Sequence, residues 1–412
     1  MRLPLTEVMR QAWADPDLRG KILFVLAMFG VFVLGINIPV PIPGLSSDQV
    51  YDNLKNIPFF HLLDTFGGGA LRKVSIFALG LNPYITSSII IQILTSAFPQ
   101  WKKELQEGGE FARKQQNRRT RALMIALCVF QGLGLLKIMQ GALPAMTVWT
   151  VAMVIVFWTA GAMFMVWLGE QISERGIGNG VSLMIFAGII ISLPNQVAGL
   201  AQGVRDSAVN LGQIAVLIAL FIGTTWLVVM FTTAQRRIPI QHMRRQFGTK
   251  MVGGQTSYLP LSLNMAGVIP IIFAVSLVYM PAQFAEMFPG TKFQDVLRSV
   301  AEYLNPGSTN LLKAATGALF YTVLIFFFTY FYTAIQYNVE DISNNLKRGG
   351  SFIPGVRPGK QTKDFLDGVI SRITVVGALF LSVIALSQFL APHLSGLPAN
   401  SYSLIGGTSL LI

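Results

Sequence analysis

Residues 211–231 read LGQIAVLIALFIGTTWLVVMF, 21 positions without a charged side chain. A helix rises about 1.5 Å per residue and the hydrocarbon core of a bilayer is about 30 Å thick, so roughly twenty such residues cross it. The segment that follows, 232–260, carries Arg236, Arg237, Arg244, Arg245 and Lys250. This alternation runs along the chain. Nine apolar runs sit near 22–38, 74–98, 122–140, 147–168, 180–199, 211–231, 263–283, 314–336 and 373–391. Every second connecting segment is basic: the N-terminal stretch to Lys21, then 99–121, 169–179, 232–260 and 337–372 together hold 23 of the 31 Lys and Arg residues. Basic excess marks the cytoplasmic side, so the N-terminus is expected inside. The chain reads as an all-α polytopic membrane protein.

Composition agrees, with 52% hydrophobic and 12% charged residues, about half the charged share of a soluble domain. The net charge of +12 therefore belongs mainly to the basic loops. Topology and anionic lipid explain the short 169–179 loop. The 232–260 and 337–372 loops are far longer than a helical hairpin needs, which suggests a dock for nucleic acid or an acidic partner. The single cysteine, Cys128, lies in an apolar run, which excludes an intrachain disulfide and suits core packing. The first 21 residues mix both charge signs with no small-residue cleavage site after the first run. They read as a polar lead-in, not a cleaved signal peptide.

A tenth apolar run starts at Leu404 and stops at Ile412. Its nine residues reach about 14 Å, so a truncated tenth helix is expected. With that span restored, the chain divides into two five-helix halves, 1–200 and 201–412. An odd number of spans per half sets the halves in opposite orientation, the geometry of inverted repeats. The echo between them is faint: Asn82-Pro83 in the second run, Asn264 and Pro270 in the seventh.

Apart from Lys137 near the end of the third run, no ionisable group lies deep in a span. Ion-coupled transporters, proton pumps and voltage sensors use such groups at mid-depth. His61, His242 and His393 are far apart and lack metal-ligand spacing. No catalytic constellation is present, no cofactor is implied, and the chain does not read as an enzyme.

One segment on the less basic side is unusual. Ile38-Pro39-Val40-Pro41-Ile42-Pro43-Gly44 removes backbone donors at alternate positions and must end the first helix. Further on, Leu62-Leu63-Asp64-Thr65-Phe66-Gly67-Gly68-Gly69-Ala70-Leu71 is too short to span. Composition favours a flexible outer loop there; a small glycine-hinged element that moves between buried and displaced positions is the functional alternative. Leu81, Ile85, Ser88 and Gln92 then share one helix face. Such a face suits a lined path, and equally helix packing.

These residues, with several longer strings, resemble a family. Asn345-Leu346-Lys347-Arg348-Gly349-Gly350-Ser351-Phe352-Ile353-Pro354-Gly355-Val356-Arg357-Pro358-Gly359 is similar to the fifth cytoplasmic loop of the bacterial SecY family, the central subunits of protein-conducting channels. Ser75-Ile76-Phe77-Ala78-Leu79-Gly80, Glu174-Arg175-Gly176-Ile177-Gly178-Asn179-Gly180, Asn264-Met265-Ala266-Gly267-Val268-Ile269-Pro270 and Gly406-Gly407-Thr408-Ser409 resemble the family in the same order. The resemblance implies a ten-helix bundle of two inverted halves. It implies an apolar pore ring at Leu81, Ile85, Val181, Ile185, Ile272 and Ile412. A plug in the 60–72 region would include Phe66, Gly67, Gly68 and Gly69, and a lateral gate would include Ser88, Gln92 and Asn264. Arg236, Arg237, Arg244, Arg245, Lys250 and Arg357 match cytoplasmic docking surfaces. The implied partners are SecE, SecG, the motor ATPase SecA, the ribosome, signal sequences and nascent polypeptides, and membrane lipid. The implied location is the bacterial inner membrane. A ten-span secondary transporter and a membrane-insertase scaffold are the competing classes; the first should bind a solute with charged mid-depth ligands, and neither should jam on a stalled secretory chain.

Overall fold

The computed structural model describes residues 5–42, 64, 67–139, 147–205, 210–242, 245–247, 250–252, 256–288, 290–308 and 310–395. Phe66, Arg244 and the tenth run with Ile412 lie outside the described residues. The chain forms two compact units, one of residues 1–208 with 279–301, the other of 209–278 with 302–411.

The first unit begins with α1 (Leu5–Ala14) and α2 (Pro16–Ile36), the latter capped by Asp15, whose carboxylate accepts the Asp17 N–H at 3.0 Å. Then come α3 (Asn82–Ala97), α4 (Pro99–Glu107), α5 (Gly109–Met139), α6 (Val148–Arg175) and α7 (Gly180–Arg205). Their core gathers around Trp158, Met124, Leu168 and Ile172, all fully buried. Lipid is as apolar as leucine, so close van der Waals fit at small residues joins such helices. Gly161 lets the Ile76 carbonyl press against α6, and Gly35 lets the Phe77 ring press against α2; a Cβ at either position would collide. Phe77 stacks between Phe32 and Phe164, centroids 6.0 and 6.2 Å away.

The second unit contains α8 (Leu211–Thr233), followed by β1 (Gln235–His242), β2 (Arg245–Phe247), β3 (Lys250–Val252) and β4 (Thr256–Ser262). Next is α9 (Ile269–Met287), whose last residues from Tyr279 belong to the first unit, as does most of α10 (Lys292–Leu304). The unit resumes with α11 (Leu311–Gln336), α12 (Val339–Arg348), β5 (Ser351–Phe352) and α13 (Lys360–Ser395). Aromatic pairs knit its helices: Phe231 on α8 stacks with Phe380 on α13 at 4.2 Å, and Phe273 on α9 meets Phe328 on α11 edge-on at 5.5 Å. α13 is one helix of 36 residues, about 54 Å long, well beyond the roughly 30 Å of a hydrocarbon core.

Two runs expected to be helical throughout are not. The run at 74–98 becomes helical at Asn82, and the run at 263–283 at Ile269. Each helix carries proline at its second position, where no intrahelical N–H is needed. Each is preceded two residues earlier by a glycine of positive φ, Gly80 at 58° and Gly267 at 65°. Val74 also has positive φ, 46°, which costs a β-branched residue about 1–3 kcal/mol. Pairing holds it there: its carbonyl accepts the Val40 N–H at 3.0 Å, and the Ile76 N–H reaches the Ile38 carbonyl at 3.0 Å. The proline-rich segment after α2 thus pairs, through an isolated bridge of Pro39 with Ser75, with the segment leading into α3.

Candidate functional site

The 232–260 and 337–372 loops, read as possible docks, are folded together. β1 lies between β4 and β5 in an antiparallel sheet, with Arg236 opposite Leu261, Arg237 opposite Pro260 and His242 opposite Ser351. β1 alternates as a half-buried strand should: Ile238 and Ile240 point inward while Arg236 and Arg237 are exposed. Ile238 and Leu261 join Ile353, Leu366, Val369, Ile370 and Ile373 in a small core beneath the sheet. β2 and β3 form a separate hairpin that carries Arg245 and Lys250 in its backbone register.

His242 joins the loops through its side chain. Its Nδ1 lies 2.7 Å from Ser351 Oγ of β5 and its Nε2 3.0 Å from Ser257 Oγ of β4. Each hydroxyl can donate or accept, so the ring bridges both strands in either tautomer. No spacing in the sequence signals this bridge, because its partners lie 15 and 109 residues away.

Arg357 stands on a turn built from the backbone. Thr362 Oγ1 donates to its carbonyl at 2.9 Å, Ser343 Oγ donates to the Gly359 carbonyl at 2.9 Å, and the Val356 N–H reaches the Ile353 carbonyl at 3.0 Å. Gly355 and Gly359 have φ of 81° and 101°, left-handed values that glycine alone adopts without strain. The Arg357 side chain is exposed and none of these bonds uses it. α12 buttresses the turn: Glu340 and Asp341 occupy its first turn, Lys347 and Arg348 its last, matching the helix dipole. Lys363 Nζ on α13 donates to Glu340 at 3.0 Å.

In the first unit, Leu81, Ile85, Val181 and Ile185 share one apolar cluster. Leu81 and Ile185 are buried; Ile85 and Val181 are half-buried. Ile272, in the second unit, is half-buried on α9, and its carbonyl accepts the Ser276 hydroxyl at 2.8 Å. Gly67, Gly68 and Gly69 are buried rather than a loose outer loop. A Cβ on Gly68 would lie 2.9 Å from Ile36 Cδ1 and 3.4 Å from the Gly188 backbone, so glycine permits this close approach to α2 and α7. Asp64 staples the turn: its carbonyl accepts the Gly69 N–H at 2.8 Å and its carboxylate meets the Arg72 guanidinium at 3.2 Å. On α3, Gln92 Nε2 donates to Ser88 Oγ at 3.0 Å. Asn264 lies in the bends before α9, half-buried. Among the described residues no group of His, Cys, Asp and Glu could hold a metal.

Six of the described helices are long and apolar enough to cross a membrane, with shorter apolar helices at 180–194 and 269–282. Together with the folded basic loops that adjoin α8, α11 and α13, they define a polytopic helical membrane protein. The SecY family profile matches residues 75–412. The chain is 38% identical over 413 residues to the protein translocase subunit SecY of Staphylococcus epidermidis and 39% identical over 417 to that of Staphylococcus aureus; each alignment covers 96% of this chain and 91% of the relative. It belongs to the SecY family. Solved structures share its fold: a protein-conducting channel at TM-score 0.68, with 16% identity and coverage of 99% and 92% of the two chains, and Sec61 from a canine ribosome–channel complex at 0.64, with 16% identity and coverage of 100% and 91%.

Proposed function

We propose that this chain is the central pore subunit of a protein translocation channel. It passes unfolded secretory polypeptides across the cytoplasmic membrane and releases apolar segments into lipid through a lateral gate. The observation that carries this reading is its membership of the SecY family, on identity to translocase subunits along 96% of its length.

The finer assignments rest on residue chemistry. Leu81, Ile85, Val181, Ile185, Ile272 and Ile412 form the constriction, since aliphatic side chains offer no fixed partner to a moving chain and exclude water and ions by dewetting. Phe66 and Gly67–Gly69 belong to the plug, and the packing of Gly68 against α2 and α7 is its resting contact. Ser88, Gln92 and Asn264 line the lateral gate. There a segment leaves for lipid when its own transfer energy is favourable, about −0.3 to −0.6 kcal/mol per central Leu or Ile against roughly +2.5 or more per Asp, Lys or Arg.

Arg236, Arg237, Arg244, Arg245, Lys250 and Arg357 dock cytoplasmic partners. Clustered cations suit ribosomal RNA through counterion release, and the exposed Arg357 suits the motor ATPase SecA. SecE and SecG flank the bundle, where α8 exposes Ile218, Ile222 and Trp226. The N-terminus is cytoplasmic, and the halves 1–200 and 201–412 are inverted repeats; the matching entries into α3 and α9 support the second point. The chain is not itself an enzyme. Site-specific crosslinking from Ile85 and Ile272 to a secretory chain stalled in transit tests the reading. Crosslinks from both positions are expected; a stalled chain that touches neither overturns it.

A further inference from the structure

α10, the 13-residue helix KFQDVLRSVAEYL between α9 and α11, is about 20 Å long and too charged to span. Its surface divides into three faces. Gln294, Leu297, Ala301 and Leu304 are buried or half-buried. Asp295, Arg298, Ser299 and Glu302 form an exposed polar face. Between the two, Phe293, Val296, Val300 and Tyr303 are 54%, 58%, 42% and 49% exposed. Their spacing of i, i+3, i+7 and i+10 confines them to an arc of about 80° at 100° per residue, and Lys292 borders it.

Both ends of α10 are tied to spans. At its start, Thr291 Oγ1 accepts the Gln294 N–H at 3.2 Å while Gln294 Oε1 accepts the Gly290 N–H at 2.8 Å. Phe293 packs edge-on against Phe288, the residue after α9, at 5.4 Å. At its end, Lys313 on α11 pairs with Glu302 at 2.8 Å and lies 5.1 Å from the Tyr303 ring centroid. Gly317 brings α11 so close to the connection that a Cβ would press on Asn305 and Pro306. Leu311 and Leu312, in the first turn of α11, are 86% and 71% exposed. α10 therefore sits at the start of α11, the end away from the basic 337–372 loop, and its stripe ends at Tyr303, against Lys313 and Thr316 of the same first turns that expose Leu311 and Leu312.

We infer that α10 lies in the membrane interface on the side opposite the basic loops, with Phe293, Val296, Val300 and Tyr303 inserted among acyl chains just below the headgroups. The three-face pattern is what that position demands: one face on protein, one in lipid, one in water. Tyr303 suits the boundary, since its ring is apolar and its hydroxyl polar. An exposed apolar patch of this kind on a water-facing helix would be an association hazard; at the interface it is covered by lipid. α10 then acts as a float that sets the depth of the far ends of α9 and α11.

The test uses single nitroxide labels at Val296, Val300, Asp295 and Ser299 in the full chain with Cys128→Ala, reconstituted in phospholipid vesicles. Labels at 296 and 300 should relax more with oxygen than with a water-soluble nickel chelate, and labels at 295 and 299 the reverse. Equal nickel access at all four sites, or shielding of 296 and 300 from both relaxants, overturns the proposal. A second arm keeps Cys128 and places benzoylphenylalanine at Val296. A phospholipid adduct by mass spectrometry supports the interfacial float, whereas an adduct to protein, this chain included, overturns it.

Discussion

At Arg357 the side chain and the turn are chemically separate, because the turn closes through the Arg357 and Gly359 carbonyls and leaves the guanidinium in solvent. Arg357→Glu should therefore leave membrane abundance within about twofold of the parent while motor-driven export falls more than tenfold. Lys should rescue partly, since it keeps the charge and loses the planar fork. Abundance, partner binding and export measured side by side check this, and normal export by the Glu variant would remove Arg357 from the docking surface. His242 behaves differently. Replacing it with Ala removes one side-chain bond to the 337–372 loop and one within the 232–260 loop, each worth about 1 kcal/mol net. Faster hydrogen exchange at Ser351 and Phe352 is the expected result, with Gln restoring part of the protection. At the proposed constriction, Ile85→Asn or Ile272→Asn wets an apolar position. Export of substrates with defective signal sequences should rise, and signal-selection assays decide it. Arg357 is legible in sequence because two Pro-Gly steps announce its turn. The His242 bridge is not, since strand pairing alone brings its partners together.

The element scale shows where periodicity succeeds and where it fails. Hydropathy placed the apolar stretches of α2, α5, α6, α8, α11 and α13, because a bilayer demands length and apolarity and both are written in the chain. It overran the starts of α3 and α9, where the preceding residues are as apolar as the helix but must turn. Asn82-Pro83 and Pro270 were visible as marks without revealing that helices begin there. The sheet of the basic loop was missed for another reason: β1 is QRRIPIQH, with only two inward residues, Ile238 and Ile240, too few for a period of two to stand out. Glycine at Gly180 has an element-scale role. Its Cα abuts the Gly169 carbonyl, and a Cβ would collide with that backbone. Gly180→Val should force α6 and α7 apart at a cost of about 1–3 kcal/mol or more. Lower membrane abundance and easier proteolysis between the two helices are the expected readouts.

On the scale of the whole molecule, the sequence carried the membrane class and the family, while burial of the glycine turn came only with the structure. Composition favoured a loose loop at Gly67–Gly69; packing against Ile36 and the Gly188 backbone reverses that reading. Deleting residues 62–70 should consequently raise resting ion conductance of reconstituted channels more than it lowers translocation. Unchanged leakage would make the segment a folding element. A last consequence concerns α13. Some 24 Å of it must stand clear of the hydrocarbon if the remainder crosses it, and that overhang is braced by α12 through the Lys363–Glu340 pair. Such a helix is a rigid lever with its handle at the basic-loop end. A load applied at the Arg357 turn would pass along this continuous helix toward Phe380 and its neighbours, without a flexible joint to absorb the stroke.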